Sequence, residues 1–578
     1  MENQPTPVNF KYLERISSLS EVVSPLEGSG FFLKRMIAQF CSTCFSLSLL
    51  LYSLSYLVGV PKITCRQSDG TYTPTLSTEA CTKRNECTFS YEFDNWNKEY
   101  DLVCEREKLK DFNISMMFWI SSLANLLIST LVDFLGRKAV IVLGSSVYIL
   151  LSVAIFFINS FELKMVLIGV MTGFDTNIIS ANSMLVREMT KEGSSFNSVV
   201  VSYGFVFYSL GSIFIGIVTL YLKNTTSLWI LFVLVFMATM IGNFFFYVES
   251  PVLLYKKKQG EEMLKSLVTL ASVNGVKVDR SKIAHSIILL EHKEEGIKEL
   301  TSVNIAIKPN FHDVTLRQDI NASLLENEST QSSLVLHPDN PDSMIYSTDE
   351  CRPKSELSAT PPQSSNSTTD AKFPLIALVM CIYGVANYFL FFGMAISIDS
   401  CGFDSIQLNA VMLGLSSMVG YYKASMINEY PRIRTATLIC FCIIISTLAN
   451  VVLGAFAPKM LLIAIIRSLL TMVVINILVC FSFSFFYLYS SEAFPVTKRG
   501  LGIGLAVCSG KLFGSLSSFI KTYCLNAGVD PVLGFSVPMI IAIFAIQLLP
   551  ETLARQNNDI TENLVTDNEN IAKINYKQ

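Results

Sequence analysis

The sequence predicts an all-α polytopic membrane protein with twelve transmembrane helices in two six-helix bundles. The 578-residue chain is 51% hydrophobic and only 16% charged, whereas a soluble protein carries about 25% charged residues. Its apolar residues are grouped in blocks of about 20, the length that an α-helix needs to cross a bilayer. The predicted spans are residues 36–60, 113–132, 139–158, 165–186, 198–222, 227–248, 373–398, 406–421, 435–456, 461–489, 500–525 and 531–549.

Basic residues predict which loops face the cytoplasm. In a twelve-span arrangement the basic clusters fall on one side, and the positive-inside rule places that side and both termini in the cytoplasm. Residues 1–35 are polar, so we expect no cleavable signal peptide. The net charge of −3 is spread over tails and loops and does not indicate nucleic-acid binding. The clusters are Lys34-Arg35, Arg137-Lys138, Lys256-Lys257-Lys258, Arg432 with Arg434, and Lys498-Arg499.

The spans divide the chain into an amino-terminal bundle, residues 36–250, and a carboxy-terminal bundle, residues 373–552. The loop between them, residues 251–372, is predicted to be cytoplasmic. Its first part has helical periodicity, and the part from about residue 308 is rich in Ser, Asn, Thr and Pro and is predicted to be disordered. Cytoplasmic regulators are possible partners of this loop. The two cytoplasmic tails are residues 1–35 and 553–578.

A second large loop, residues 61–112, follows the first span and is predicted to be extracellular. It contains four cysteines, and an even number of cysteines in an oxidising compartment predicts two disulfides. Three pairings are possible, and free thiols are the alternative. The four residues are Cys65, Cys81, Cys87 and Cys104.

Acidic residues recur at nearly constant intervals at the predicted cytoplasmic ends of the spans. Two six-span halves in parallel orientation explain the recurrence, and this architecture places a transport site near the midplane between the halves. The intervals are 296 residues from Asp133 to Glu429, 304 from Glu188 to Glu492 and 302 from Glu249 to Glu551.

Short motifs flank the spans in both halves. They include Asp133-Phe-Leu-Gly136-Arg137-Lys138, Asp101-Leu-Val-Cys104, Glu249-Ser-Pro251, Glu492-Ala-Phe-Pro495 with Arg499 and Gly502, and Leu549-Pro-Glu-Thr552. Together they resemble the motifs of the major facilitator superfamily. The four-cysteine loop that ends in Asp-Leu-Val-Cys narrows the resemblance to the organic cation, organic anion and carnitine transporters, the solute carrier 22 family. The chain looks like a divergent member, since Ser129, Phe134 and Ser195 stand where the family has glycine, a basic residue and arginine.

The resemblance implies an inner gate made of charged residues at the cytoplasmic helix ends. In the family such charges form networks between helices, which break when the cavity opens inward. The alternative is that the basic residues only specify topology, which leaves the repeated acids unexplained. The residues assigned to the gate are Asp133, Gly136, Arg137, Lys138, Glu188, Glu492 and Arg499.

Lys511 is the strongest single indication of function, because it lies inside a membrane-length apolar stretch. A cation in hydrocarbon costs about 3 kcal/mol or more, unless it faces a water-filled cavity, a partner charge or a ligand. The resemblance places Lys511 at the family's selectivity position, where anion carriers have arginine and cation carriers aspartate. An ammonium there is expected to attract carboxylates or sulfates. The alternatives are an internal pair with Asp175 and a lysine that snorkels to the surface.

Asp175 is the acidic residue predicted inside the fourth span. It could titrate as a proton relay or balance Lys511. The alternative is that it only caps Asn177 and Asn182 in a wet groove. Anion carriers also tend to have a lysine in span eight, where this chain has Gly420, with Lys423 about one turn away.

Four aromatic residues match cavity positions of the family. Flat rings offer apolar contact and stacking to bulky organic ions, although without the resemblance each would be assigned to packing. These residues are Phe391, Phe392, Phe483 and Tyr487.

The function expected from these observations is alternating-access transport of amphiphilic organic ions, preferably anions, across the plasma membrane. The alternatives are a cation or carnitine-like zwitterion as substrate, and a membrane receptor or scaffold that keeps the fold without transporting. The expected partners are a small organic ion and the lipid bilayer, with no nucleic acid. We expect no cofactor, metal site or enzymatic activity, because the sequence has no metal-spaced histidine cluster, nucleophile elbow or phosphate loop.

Overall fold

The structure is a bundle of long helices with one small sheet inserted after the first helix. The computed structural model describes single residues 26, 280, 283, 284, 287 and 403, and the ranges 30–59, 63–66, 72–75, 88–91, 93–102, 106–189, 196–277, 365–397, 405–426, 430–456, 460–494 and 498–551. The described residues outside 288–367 form one compact unit, and residues 288–367 form another, of which only 365–367 are described.

The amino-terminal half, residues 30–277, contains six long helices. A shorter helix, Gly260–Val273, follows them and packs on the first helix. Such helices satisfy every backbone polar group internally, which a hydrocarbon environment requires. The six are Phe31–Leu57, Glu107–Leu135, Arg137–Ala154, Phe161–Glu188, Phe196–Tyr221 and Thr225–Phe246, and the short helices Trp96–Glu99 and Pro251–Lys256 lie between and after them.

The carboxy-terminal half, residues 365–551, repeats this arrangement with two interruptions. The fourth of its long helices contains a π-helical segment, Leu470–Ile475, and the hydroxyl of Ser416 donates to the carbonyl of Met472 within it at 2.8 Å. The fifth breaks at Ser515 and Leu516. The helices are Ser365–Ile396, Ile406–Ser425, Arg432–Phe456, Leu461–Leu469 continuing as Asn476–Ala493, Arg499–Gly514 followed by Ser517–Asn526, and Pro531–Ile546.

A helix is present at each of the twelve predicted positions, and the prediction of an all-α membrane protein is confirmed. Among the described residues, ten helices are long and apolar enough to cross a membrane. Ile406–Ser425 is not among the ten, and Pro531–Ile546 is apolar but has only 16 residues. The count of twelve spans therefore remains a prediction.

The loop predicted as residues 61–112 contains regular structure that the sequence did not predict. Its three strands form an antiparallel sheet in the order Tyr72–Thr75, Ile63–Arg66, Thr88–Tyr91. Cys65 lies in the central strand, whereas Cys81, Cys87 and Cys104 fall outside the described residues. The two predicted disulfides therefore remain a prediction.

Residues 93–102 fasten this loop to the bundle. Asn95 donates to the carbonyls of Tyr56 and Gly59 at the end of the first helix, each at 2.8 Å. The ammonium of Lys164, which is 7% exposed, lies 3.7 Å from the carboxylate of Glu99 and 5.2 Å from the ring centre of Trp96. We call this end of the bundle the sheet end, and the opposite end, where Arg137 and Arg432 lie, the charged end.

Among the described residues, two helix pairs make most of the contact between the halves. Phe196–Tyr221 packs along Ile406–Ser425, and Glu107–Leu135 packs along Arg499–Gly514. Small residues let the first pair approach closely, as is usual between membrane helices. A Cβ at Gly414 would lie 2.6 Å from the side chain of Ile213.

Candidate functional site

Lys511 lies at the contact between the two halves. Its side chain is 4% exposed and belongs to Arg499–Gly514 of the carboxy-terminal half. Its ammonium donates to the hydroxyl of Ser121 at 2.9 Å and to the carbonyl of Thr172 at 2.7 Å. Because both acceptors belong to the amino-terminal half, Lys511 links the two halves in the middle of the bundle.

The hydrogen-bond acceptors of Lys511 are uncharged. Asp175 is close enough to interact electrostatically with the ammonium, but no hydrogen bond or ion pair joins the two among the described residues. Asp175 is itself only 7% exposed, and its Oδ1 atom has no hydrogen-bond partner within the part of the chain that the structure describes. The ammonium of Lys511 therefore makes no direct ion pair with a carboxylate among the described residues.

Asp175 makes no hydrogen bond with the two asparagines that follow it. Asn177 donates to the side-chain oxygen of Asn125 at 3.0 Å, and Asn182 donates to the carbonyl of Ile178 at 3.0 Å. Asn125 in turn donates to the carbonyl of Gly504 at 3.1 Å. Asn125 and Asn177 therefore link three helices, and none of these three amides donates to the Asp175 carboxylate.

The four predicted aromatic residues lie together. Phe391 stacks on Phe483 with ring centres 4.7 Å apart, and Phe483 lies 5.4 Å from Tyr487. The ring centres of Phe392 and Phe391 are 5.9 Å apart. The π-helical segment that precedes Phe483 holds an extra residue per turn, which changes the face on which the following residues lie.

The structure adds aromatic residues that the sequence analysis missed. The hydroxyls of Tyr388 and Tyr487 are 2.6 Å apart. Two further rings come from the amino-terminal half. The ring centre of Phe205 lies 5.2 Å from that of Tyr487, and the ring centre of Phe118 lies 4.4 Å from that of Phe392. Tyr388 lies three residues before Phe391, so helical spacing could have identified it, whereas no sequence signal indicates Phe118 or Phe205. Tyr421 stacks on Phe205 with ring centres 5.3 Å apart. We call these seven residues together with Tyr421 the aromatic cluster, which joins both halves.

Two equivalent ion pairs lie at the charged end, one in each half. Arg137, 1% exposed, donates to the carboxylate of Glu188 at 3.2 Å. Arg432 donates to both carboxylate oxygens of Glu492 at 3.1 and 3.2 Å. The pattern of basic clusters indicated only a topological role for Arg432, although its contact with Glu492 is similar to that of Arg137 with Glu188.

A second repeated contact lies beside each pair. The carboxylate of Glu249 accepts hydrogen bonds from the backbone N–H groups of Arg137 and Lys138 at 2.9 and 3.0 Å. The carboxylate of Glu551 accepts from the N–H groups of Arg432 and Ile433 at 2.8 and 3.2 Å. In both cases a carboxylate accepts hydrogen bonds from N–H groups that have no acceptor within their own helix, because they lie at its N-terminus. A negative charge is favourable at that end of a helix.

Gly136 is required by the first of these contacts. Its φ of +118° is a conformation that other residues rarely adopt. A Cβ there would lie 2.6 Å from a carboxylate oxygen of Glu249. The predicted gate residue Asp133 lies on the preceding helix, and its side chain is outside the described residues.

Contacts between the halves are present at both ends. At the charged end, the guanidinium of Arg187 donates to the hydroxyl of Ser491. Near the sheet end, Ser115 donates to the carbonyl of Ser515 at 3.0 Å, and the Trp119 indole donates to its hydroxyl at 2.7 Å. The two halves are therefore in contact near both ends of the bundle.

The lysine that anion carriers tend to have in span eight has no equivalent at this site. A Cβ at Gly420 would lie 2.5 Å from the carbonyl oxygen of Ile477, so no longer side chain fits there. Lys423, one turn later, is exposed at the end of its helix. Among the described residues, no group of three or more His, Cys, Asp or Glu side chains could hold a metal ion.

Comparison with known proteins identifies a family and a fold. A family model described as Major Facilitator Superfamily matches residues 111–518 of the 578. The structure is similar to the proton:xylose symporter XylE bound to 6-bromo-6-deoxy-D-glucose, with 11% identity, a TM-score of 0.51, and coverage of 90% of this chain and 96% of that chain. A double tryptophan mutant of XylE gives 12% identity, a TM-score of 0.51, and coverage of 92% and 98%.

The human organic anion transporter MFSD10 (TETRAN) is also similar, with 12% identity, a TM-score of 0.49, and coverage of 89% of this chain and 99% of that chain. At such identities the similarity to solved structures concerns the fold alone. A search of curated protein sequences finds no match.

Proposed function

The chain belongs to the major facilitator superfamily, and we propose that it carries amphiphilic organic anions across the plasma membrane by alternating access. Membership of the superfamily makes it a membrane transporter of small solutes, not an enzyme. The substrate class, the plasma membrane location and the narrower kinship with the solute carrier 22 family are part of the proposal.

The buried ammonium of Lys511 is the observation that supports an anionic substrate. Its hydrogen-bond acceptors, Ser121 and Thr172, are neutral, so a carboxylate or sulfate that replaces them gains an attraction between opposite charges. At about 4 Å and an effective dielectric constant of about 20, that attraction is about 4 kcal/mol. The same charge repels organic cations.

A single cation favours a monovalent anion over a divalent one. Gly420 has no room for the second lysine found in related anion carriers, and Lys423 is exposed. A dianion at Lys511 would leave one buried negative charge without a partner, which is costly. We therefore propose sulfate monoesters, sulfonates and monocarboxylates as the substrate class.

The aromatic cluster supports an amphiphilic substrate with a flat apolar body. Its rings come from both halves, with Phe205 and Phe118 on one side and Phe483, Tyr487 and Phe392 on the other. Stacking and edge contacts are each worth about 0.5–1.5 kcal/mol beyond the burial of apolar area. A substrate ring that enters between the halves would replace contacts that now join them.

Contacts at both ends support alternating access. Opening toward the charged end requires loss of the Arg187–Ser491 contact, and opening toward the sheet end requires loss of the Ser515 contacts. The pairs Arg137–Glu188 and Arg432–Glu492 lie within single halves. They stabilise the packing of helices within each half at the charged end, so each half can move as a rigid body.

A zwitterion is a second candidate substrate. It is favoured by the unpartnered Oδ1 atom of Asp175 near Lys511, because a substrate cation could bind the carboxylate while its anion binds the ammonium.

Uptake of three probes with one aromatic body tests the proposal. Oocytes that express the full chain are given tritiated 1-naphthyl sulfate, (1-naphthylmethyl)trimethylammonium or 1-naphthylalanine, which are an anion, a cation and a zwitterion. We expect uptake of the sulfate well above that of control oocytes and little uptake of the cation. Preferred uptake of the zwitterion would replace the anion proposal with the second candidate. A surface-expressed protein that transports none of the probes would favour a receptor or scaffold.

A further inference from the structure

We infer that the carrier has a second polar subsite, in which the phenol hydroxyls of Tyr52 and Tyr421 donate hydrogen bonds to a carbonyl oxygen of the substrate. The inference rests on the proposed transport of amphiphilic anions. It adds an uncharged hydrogen-bond acceptor, carried on the apolar body of the substrate, to the anionic group that binds Lys511.

The two hydroxyls are buried without a hydrogen-bond partner. Tyr52 is 3% exposed and Tyr421 is 0% exposed, and neither Oη atom makes a hydrogen bond within the described part of the chain. Buried polar atoms in proteins are normally paired, and one that is left unpaired lowers the stability of the fold. Two such atoms at one place therefore indicate a site for a polar group of a ligand.

Tyr52 and Tyr421 come from opposite halves and meet at the contact between them. Tyr52 belongs to the amino-terminal half, and its ring centre lies 5.9 Å from that of Tyr208. Tyr421 belongs to the carboxy-terminal half and stacks on Phe205, which lies one turn before Tyr208 on the same helix. The two phenols also interact electrostatically with each other. Separation of the halves would therefore expose both hydroxyls to a substrate, and closure would bring both of them onto it.

The polar groups nearest to the two phenols are already in use. Both phenols lie close enough to interact with the thiol of Cys480, and Tyr52 also interacts with the hydroxyl of Ser417. Ser417 donates to the carbonyl of Leu413 at 2.6 Å. It accepts from the amide of Asn476 at 2.9 Å and from the thiol of Cys480 at 3.2 Å.

These contacts show which partner the phenols lack. A hydroxyl has one proton and two lone pairs, and the three contacts of Ser417 use all of them. The sulfur of Cys480 is only a weak acceptor. The phenol protons therefore need an acceptor, and the carbonyl oxygen of a ketone or amide has two lone pairs to offer.

Tyr208 connects the phenol pair to the surroundings of Lys511. It interacts with Tyr52 and with Asp175, and Asp175 interacts in turn with Lys511. Tyr421 is itself a member of the aromatic cluster, so the rings that would hold a flat apolar body lie beside the phenol pair. The acceptor is therefore expected at the far end of that body from the anionic group.

Two probes that differ only at the acceptor test the inference. Oocytes that express the full chain are given tritiated 6-acetyl-2-naphthyl sulfate or 6-isopropenyl-2-naphthyl sulfate, in which a CH2 group replaces the carbonyl oxygen. The two probes have the same charge and nearly the same shape. We expect the half-saturation concentration of the acetyl probe to be about tenfold lower, because the isopropenyl probe leaves two buried donors unpaired.

Conservative variants locate the subsite. Tyr52→Phe and Tyr421→Phe each remove one hydroxyl and keep the ring. Each should raise the half-saturation concentration of the acetyl probe and leave that of the isopropenyl probe unchanged, and the double variant should abolish the preference. Tyr383→Phe is the matched control, because the Tyr383 hydroxyl is equally buried but lies 2.9 Å from the hydroxyl of Ser482. It should keep the preference.

Melting temperatures of the purified proteins in detergent give a readout that does not depend on transport. Removal of a hydroxyl that has no partner should leave the melting temperature of Tyr52→Phe and Tyr421→Phe protein unchanged or raise it. Tyr383→Phe should lower it, because the change removes a hydrogen bond and leaves a buried group of Ser482 with one partner fewer.

The outcomes separate the inference from the proposed function. Equal half-saturation concentrations of the two sulfates in the unchanged protein would overturn the subsite and leave the anion proposal intact. A preference that persists in the double variant would overturn the role of the two phenols. A fall in melting temperature as large as that of Tyr383→Phe would show that their hydroxyls have partners within the protein, which also contradicts the inference. No uptake of either sulfate would refute the anion proposal and, with it, the substrate class inferred here.

Discussion

Arg187 and Ser491 occupy equivalent positions in the two halves, and they contact each other. Each directly precedes one of the repeated glutamates, Glu188 and Glu492, and the interval between them is 304 residues. A contact between equivalent residues is expected where two related halves meet at their symmetry axis. The internal repeat is therefore a feature of the structure at the charged end, where Arg137–Glu188 and Arg432–Glu492 repeat as well.

Glu492→Gln is expected to slow turnover without weakening substrate binding. Glutamine keeps one acceptor oxygen for Arg432 but removes a negative charge that interacts with Arg187 of the other half, so the equilibrium between conformations changes and the substrate site does not. Glu188→Gln and Arg499→Gln should behave alike. In uptake measurements the maximal rate should fall while the half-saturation concentration stays within about twofold. Glu261→Gln, at an exposed position of Gly260–Val273, is the control. A normal maximal rate with a raised half-saturation concentration would contradict this role.

Gly136→Ala is expected to destabilise the folded protein by about 2 kcal/mol or more, because it combines backbone strain with a clash against Glu249. Gly275→Ala is a matched control. Gly275 also has a positive φ, +74°, but its Cβ would have nothing within 4 Å, so it carries backbone strain alone. In detergent, the melting temperature of purified Gly136→Ala protein should be the lowest, that of Gly275→Ala should be intermediate, and that of the unchanged protein should be the highest. Equal losses would show that the Glu249 contact is not what requires glycine.

The helix positions and the central lysine could be predicted from the sequence, and the partners of the lysine could not. Length and composition locate the spans, and a charge within an apolar run identifies Lys511. Its acceptors Ser121 and Thr172 are common polar residues on two other helices, and periodicity along one helix says nothing about which residue of another helix lies opposite. The same reason explains why Arg432 was assigned to topology and why Phe205 was missed.

In the loop of residues 61–112, by contrast, the sequence did not predict the secondary structure. Cysteine number indicated a constrained loop, but the three short strands carry no clear alternation, since each has only four residues. Strands of that length depend on their neighbours more than on their own sequence.

Cys65, Cys81, Cys87 and Cys104 are expected to form two disulfides. Mass mapping of protein alkylated before and after reduction should find these four modified only after reduction. Buried Cys440 is a free thiol and should be modified on denaturation without a reductant. Loss of one bridge should cost about 2–5 kcal/mol and lower surface delivery. Alkylation of all four without reduction would exclude the bridges.

Epitope tags test the orientation that the basic clusters predict. In intact cells an antibody should reach a tag near Thr78, and it should reach tags at residue 340 and at both termini only after permeabilisation. Labelling of residue 340 in intact cells would reverse the orientation and place the charged end outside.

The charge of Lys511 is expected to set the sign of the substrate, and uptake by its variants tests this most directly. Lys511→Met keeps the length of the side chain and removes its charge, and Lys511→Arg keeps the charge. Loss of one close charge contact at an effective dielectric constant of about 20 costs about 2–4 kcal/mol, a factor of about 30 or more in affinity. Uptake of 1-naphthyl sulfate should therefore be retained in part by Lys511→Arg, fall by that factor in Lys511→Met, and be unchanged in Lys423→Met, whose lysine is exposed. Undiminished uptake of the sulfate by Lys511→Met protein that reaches the cell surface normally would contradict an anion site at Lys511.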